Sequence, residues 1–287
     1  MRIAHLFDHA HALPTIPKVV HQLIQSFNHE EVSIDEIASQ ITADPVISAK
    51  LLRLANSAYF HVTHKVSTVD DALRMLGFVM VRNLVVGSGL AGGFKATPSL
   101  NLNQFWSYCL GTAVTARWLG RLAGENTDLC FTVGLTHAIG ELVMHAAMPE
   151  QMLFMDRTCS PIDPRRAEME TQSFGYHYAD VGAELARRWH FPDEITEAIR
   201  HVPSPLEDES GGKVAAIVHL AAWRARVSEY RLGSEELVAS YPGDVGQRLG
   251  IAPTWLPELA AEHAHLKPKA VMPPLEELLG GLQDLLH

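Results

Sequence analysis

Helix punctuation at short intervals is the strongest constraint this sequence places on its fold. In VSIDEIASQI, Ser33 stands where an N-cap hydroxyl belongs, and Glu36, three residues on, can return the hydrogen bond in a capping box. In ADPVISAKLLRLANSAYF, Asp44 can cap, and Pro45 takes the first helical position, where a missing N–H is harmless. Ser67 precedes TVDDALRMLGF, in which Val69, Ala72, Leu73 and Leu76 recur at helical spacing and Asp70 and Asp71 suit the positive first turn. KVVHQLIQSF, opened at Pro17 and closed near Asn28, lies before these segments, and VMVRNLVVGSGLAGGF, apolar nearly all round, lies after them. Each apolar stripe has to be buried against another element. Residues 1–94 therefore predict an N-terminal helical lobe, and the scarcity of alternating β-branched runs argues against sheet.

KATPSLNLN reads as the join to a second lobe over 95–233. There NQFWSYCLGTAVTARWLGRLA predicts a long amphipathic helix and FTVGLTHAIGELVMHA an apolar one. Further helices are expected from Asp163 and Pro164, along YADVGAELARRWH, from Pro192, and along GGKVAAIVHLAAWRARV, whose alanines permit close approach. Prolines at 242, 253, 257, 273 and 274 break residues 234–287 into short pieces, expected to form a C-terminal helical extension. The fold class is all-α.

The chain of 287 residues carries 23 Lys and Arg against 33 Asp and Glu, a formal charge of −10, with no strong basic run. That balance disfavours nucleic acid and anionic membrane surfaces as partners. The Arg pairs at 165–166 and 187–188 and the RAR at 224–226 read as solvated helix faces. The start lacks the apolar core of a secretory signal, and no stretch has the roughly 18 continuous apolar residues of a spanning helix, so a cytoplasmic protein is expected. Cys109, Cys130 and Cys159, with no CxxC pair, read as small hydrophobes.

Sixteen histidines raise the question of chemistry. His5, His9, His11, His29, His61 and His64 lie in turns or polar surroundings, whereas His137, His177, His201 and His219 have apolar neighbours in the helical middle of the chain. His137 is either a core imidazole bonded to a carbonyl or, with His177 and His201 on facing helices, part of a nitrogen ligand set. No HExxH, DxD or paired-carboxylate spacing supports the second reading. Asp128, Asp156, Asp163, Asp180 and Asp193 fall at expected helix starts or polar turns, where capping or solvation accounts for them. The glycines of GSGLAGGF lack a strand before them, and no GxSxG elbow is present. The five tryptophans read as packing residues.

LPTIPKVVHQLI, ADPVISAKLLRLANSAYF, KVSTVDDALRMLGFVMVRNLVV, THAIGEL, GYHYADVGAELARRW and AIRHV, in that order, resemble the HDOD family, relatives of the HD-type metal-dependent phosphohydrolases. The likeness covers roughly residues 10–230. It implies two packed helical lobes and a regulatory role in bacterial signal transduction. Catalytic HD proteins hold metal with histidines and aspartates on bundle helices. Carried over position by position, the early histidine falls on Tyr108, the His-Asp pair on His137 and Ala138, the next histidines on His177 and His201, and the late aspartate on Ala222. Tyr108, Ala138 and Ala222 are thus degenerate positions, while His137, His177 and His201 remain as pocket candidates. A phenol stays protonated near neutral pH and alanine supplies no ligand. The resemblance therefore implies a non-catalytic module without metal or cofactor, acting on a signalling protein or a small ligand, with a cyclic nucleotide or a homodimer among the possibilities. A degenerate metal-dependent phosphohydrolase is the alternative.

Overall fold

A computed structural model of the chain describes residues 3–7, 17–26, 33–62, 64–94, 97, 99–207, 212–260 and 270–282. Among them there is no strand. His9, His11, His29 and Asn28 lie outside the described residues. The first part of the chain holds α1 (Ile3–Leu6), α2 (Lys18–Gln25), α3 (Ile34–Ala43), α4 (Pro45–Ala55), a 3-10 turn at Ala58–Phe60, α5 (Val69–Leu76) and α6 (Phe78–Gly93). The punctuation explains these boundaries. Ser33 accepts from the Glu36 N–H, and Asp44 accepts from both Val46 and Ile47. Ahead of α5 the cap is Thr68, whose hydroxyl accepts from the Asp71 N–H, while the Ser67 hydroxyl reaches the Asp71 carboxylate.

The middle holds α7 (Leu102–Ala123), α8 (Thr127–Thr136), α9 (Ile139–Ala147), α10 (Pro149–Asp156), α11 (Arg166–Phe174), α12 (Tyr178–Arg188), α13 (Asp193–His201) and α14 (Gly212–Tyr230). The helix expected to open at Asp163 and Pro164 begins instead at Arg166, because Asp163 is engaged in a turn in which its carboxylate accepts from the Arg165 N–H. Short helices α15 (Ser234–Ala239), α16 (Gly243–Leu249), α17 (Pro257–Ala260) and α18 (Leu275–Leu279) follow.

α7 is the spine, with α14 and α8 as its most extensive neighbours. Two glycines allow such packing. A Cβ on Gly134 of α8 would come within 2.8 Å of the Ala113 Cα of α7, and one on Gly140 of α9 would collide with the Tyr178 carbonyl oxygen of α12. The buried apolar side chains form one cluster running from Leu6 to Leu282. Polar contacts cross it as well: Arg117 of α7 pairs with Asp128 at 3.5 Å and donates to the Tyr59 hydroxyl at 3.0 Å. The C-terminal stretch lies on α7 and on the 3-10 turn, where the Tyr59 N–H donates to the Gly280 carbonyl at 2.9 Å. Thr127–Ala147 has the length and mean hydropathy, 1.3, of a membrane-crossing helix, but 89% of its apolar window is buried within the fold. It serves as core.

Candidate functional site

His137 ends α8, in the break that Ala138 completes before α9 begins. The ring is fully buried, and its Nδ1 lies 2.7 Å from the Gly134 carbonyl oxygen, which can only accept, so Nδ1 carries the proton. Nε2 is then a lone-pair nitrogen, buried and without a partner. Burial pushes the pKa down to about 4, with the charge of Arg226 and the proximity of His219 adding to the depression. The Tyr108 ring packs edge-on to His137 with centroids 5.1 Å apart, and Arg226 Nη2 approaches the Tyr108 hydroxyl at 3.5 Å. Arg226 Nε donates to the Ile162 carbonyl.

Beside this group is a cavity of about 200 Å³ whose wall includes Tyr178, His219, Ala222, Trp223, Arg226 and Tyr230. His219, Ala222, Trp223, Arg226 and Tyr230 each lie three or four residues from another of the set along α14 and so share one face. His219 Nδ1 donates to the Val202 carbonyl at 2.7 Å, and burial lowers the pKa of its ring. Trp223 is fixed by donation from its indole N–H to the Ser240 hydroxyl at 3.1 Å. Ser240 and Pro242 close the wall from the start of the C-terminal extension. Burial also holds the Tyr178 phenol protonated, pushing its pKa well above the ordinary value.

The other two candidate histidines have local work. His177 is the N-cap of α12, where its Nδ1 accepts from the Asp180 N–H at 3.4 Å and Asp180 accepts from the His177 N–H at 3.1 Å. His201 ends α13, with Nδ1 donating to the Glu197 carbonyl one turn back at 2.8 Å. Its successors Val202 and Pro203 reach the cavity wall. Tyr108 and His137 are therefore brought together, Ala222 lies on the cavity beside them, and His177 and His201 serve helix ends.

Behind Tyr178 is a buried ionic network that the sequence reading missed. Arg166, 1% exposed, donates to both oxygens of Glu141 at 3.0 and 3.1 Å, to Glu170 at 2.7 Å, to Asp156 at 2.9 Å and to the Cys159 carbonyl. The expectation of a solvated face at Arg165 and Arg166 is thus half corrected: Arg165 faces solvent, whereas Arg166 is turned inward by three carboxylates. Asp156 is likewise no solvated turn residue, since it also lies 3.0 Å from His145 Nε2. Burial drives the Glu141 pKa well above the carboxylate range, Glu170 adds to the rise, and Arg166 opposes it. For Asp156, burial pulls upward, but His145 and Arg166 outweigh it and the pKa is lowered. Glu170 passes the order outward by accepting from the Tyr178 N–H at 2.7 Å, which holds the start of α12 at the cavity.

A divalent metal of the HD type does not fit this residue set. Ala138 and Ala222 offer no ligand, and the Tyr108 phenol is kept protonated by burial. The Arg226 guanidinium, 3.5 Å from the Tyr108 hydroxyl, puts a positive charge near His137 that further lowers its pKa, and among the described residues no group of three or more His, Cys, Asp and Glu is placed to share an ion.

An all-helical fold with a cavity bordered by one of these degenerate positions, Ala222, defines a protein of the all-α class. The HDOD domain profile matches residues 13–205, and the chain belongs to the HDOD family. It is similar to the crystal structure of a candidate phosphohydrolase from Shewanella amazonensis, at 26% identity and a TM-score of 0.73, covering 99% of this chain and 98% of that one. An HDOD domain protein of unknown function from Geobacter sulfurreducens shares the fold at 23% identity and a TM-score of 0.67, covering 87% of this chain and 89% of that one. So does a candidate signal transduction protein from Marinobacter aquaeolei, at 21% identity and a TM-score of 0.61, over 88% of this chain and 59% of that one. An uncharacterized protein of Treponema pallidum is 24% identical over 199 residues, which are 69% of this chain and 39% of that protein's length.

Proposed function

We propose that this chain is a non-catalytic regulatory module of bacterial signal transduction that works by binding, with the cavity on α14 as its ligand-responsive part and a protein partner as its readout. The observation that carries the reading is the Arg226 guanidinium, which approaches the Tyr108 hydroxyl at 3.5 Å and lines the cavity with His219 and Ala222, where a phosphohydrolase would need carboxylates and a metal. A fixed cation there repels a divalent ion and attracts an anionic ligand. Incubation of metal-supplemented protein with cyclic dinucleotides, nucleotides and generic phosphoesters is expected to give no turnover above background. Turnover lost on His137→Ala would overturn the reading.

The degenerate phosphohydrolase is the second reading, and one observation favours it: His137 Nε2 is a buried nitrogen lone pair with no partner. Elemental analysis of untagged protein separates the two. One transition metal per chain, removed by His137→Ala, would support the second reading.

A further inference from the structure

The polar groups on the cavity specify the chemistry of what fits it. Arg226 is half-buried, and its hydrogen bonds go to neutral acceptors, the Ile162 carbonyl and the Tyr108 hydroxyl, with the Asp163 carboxylate near enough to feel its charge. Asp163, an acid on the cavity wall, has both oxygens taken by the Arg165 guanidinium at 3.1 Å each. A guanidinium in such surroundings gains most from a carboxylate or phosphate oxygen. Tyr178 adds a hydroxyl donor. His219, whose Nδ1 proton is committed to Val202, offers Nε2 as an acceptor and so calls for a donor on the ligand. The rest of the wall is apolar or aromatic: Val202, Pro203, Trp223, Val227, Tyr230 and Leu232.

Size and charge narrow the class. Pockets for drug-sized ligands run to roughly 300–1,000 Å³, and a cavity of about 150 Å³ accommodates a benzene ring. The 200 Å³ here therefore suits one substituted ring and excludes a cyclic dinucleotide held whole. Arg165 and Arg226 against the single Asp163 carboxylate leave about one net positive charge at the cavity, which suits a monoanion better than a phosphate dianion.

Resting on the ligand-responsive reading above, we infer that the cavity binds a small aromatic monocarboxylate carrying a ring hydroxyl or N–H. Its carboxylate meets Arg226 and Tyr178, its ring lies against Trp223 and Tyr230, and its donor meets His219 Nε2.

The test is titration of the intact chain, by calorimetry and by Trp fluorescence, with 4-hydroxybenzoate, its methyl ester, benzoate, inorganic phosphate and a cyclic dinucleotide. Saturable one-to-one binding of 4-hydroxybenzoate is expected, with benzoate several-fold weaker and the ester at least tenfold weaker. Tyr178→Phe, which removes only a hydroxyl, is expected to weaken binding about tenfold, the effect of one hydrogen bond to a charged group. Arg226→Gln should weaken it further, with circular dichroism reporting whether each variant is folded. Ester binding equal to the acid, or acid binding unmoved by Tyr178→Phe, overturns the inference. Binding of phosphate or the dinucleotide in place of the aromatic acid, lost on Tyr178→Phe, overturns the ligand class and leaves the ligand-responsive reading standing. If none of the five probes binds, the inference fails; phosphoester turnover that is lost on His137→Ala would make the broader reading fail with it.

Discussion

At the scale of single residues, Arg166 and His137 show opposite uses of burial. Arg166 satisfies three carboxylates at once, so replacing it with methionine takes the cation from Glu141 and Glu170 and leaves Asp156 with His145 alone. The expected loss is about 3–5 kcal/mol in urea denaturation, the range for breaking a buried ion pair from one side. His137 is held neutral, and its pKa falls from 6.5 unfolded to about 4 folded. The unfolded chain therefore binds the extra proton first. Stability from this group is complete above pH 6.5 and declines as pH falls toward 4, by up to about 3 kcal/mol. Glu141 has the opposite sign: its pKa is raised in the fold, so its contribution is lost as pH rises through the folded value. His137→Gln isolates the first effect, and its urea midpoint is expected to vary less with pH between 4 and 6.5 than that of the unsubstituted chain.

At the scale of elements, close helix approach is where small changes act. Gly140→Ala would drive a methyl group into the Tyr178 carbonyl and force α9 away from α12. Gly92, late in α6, has open space where its Cβ would go. Thermal melts should show Gly140→Ala strongly destabilised and Gly92→Ala unchanged or stabilised by about 0.5–1 kcal/mol, the ordinary helical preference for alanine. Much of this level was legible in the sequence, because caps and period are local. Ser33 and Asp44 cap where the sequence places them, whereas the helix expected from Asp163 and Pro164 starts at Arg166, because the Asp163 carboxylate holds the Arg165 N–H in a turn. The candidate site was less legible. Glu141 and Arg166 are 25 positions apart, and no local pattern joins them. A signal existed all the same: a glutamate inside an otherwise apolar helix must find a partner. The spacing of His219, Ala222, Trp223 and Arg226 on one face of α14 is equally readable, whereas the local bonds of His177 and His201 at helix ends are set by backbone geometry that the sequence does not show.

At the scale of the molecule, the C-terminal stretch joins parts that the sequence divides. Leu275, Leu279 and Leu282 are buried, and Leu275 packs against the α7 backbone where Gly111 leaves room. A chain ended after residue 269 is expected to lose at least about 4 kcal/mol of stability in urea, since each buried leucine contributes roughly 1.5–3 kcal/mol. The pairing of α7 with α14 has a kinetic consequence. Ser107 donates to Glu229 across 122 positions, and Arg226 meets Tyr108 across 118. Contacts that distant form only after a long loop has closed, which is slow compared with helix formation and helix–helix contacts between chain neighbours. α14 supplies one wall of the cavity and is placed by that pairing, so the cavity is expected to form late on the folding path and to be lost early on the way out. A molecule seated in it therefore lengthens the lifetime of the folded chain while leaving the rate of folding nearly untouched.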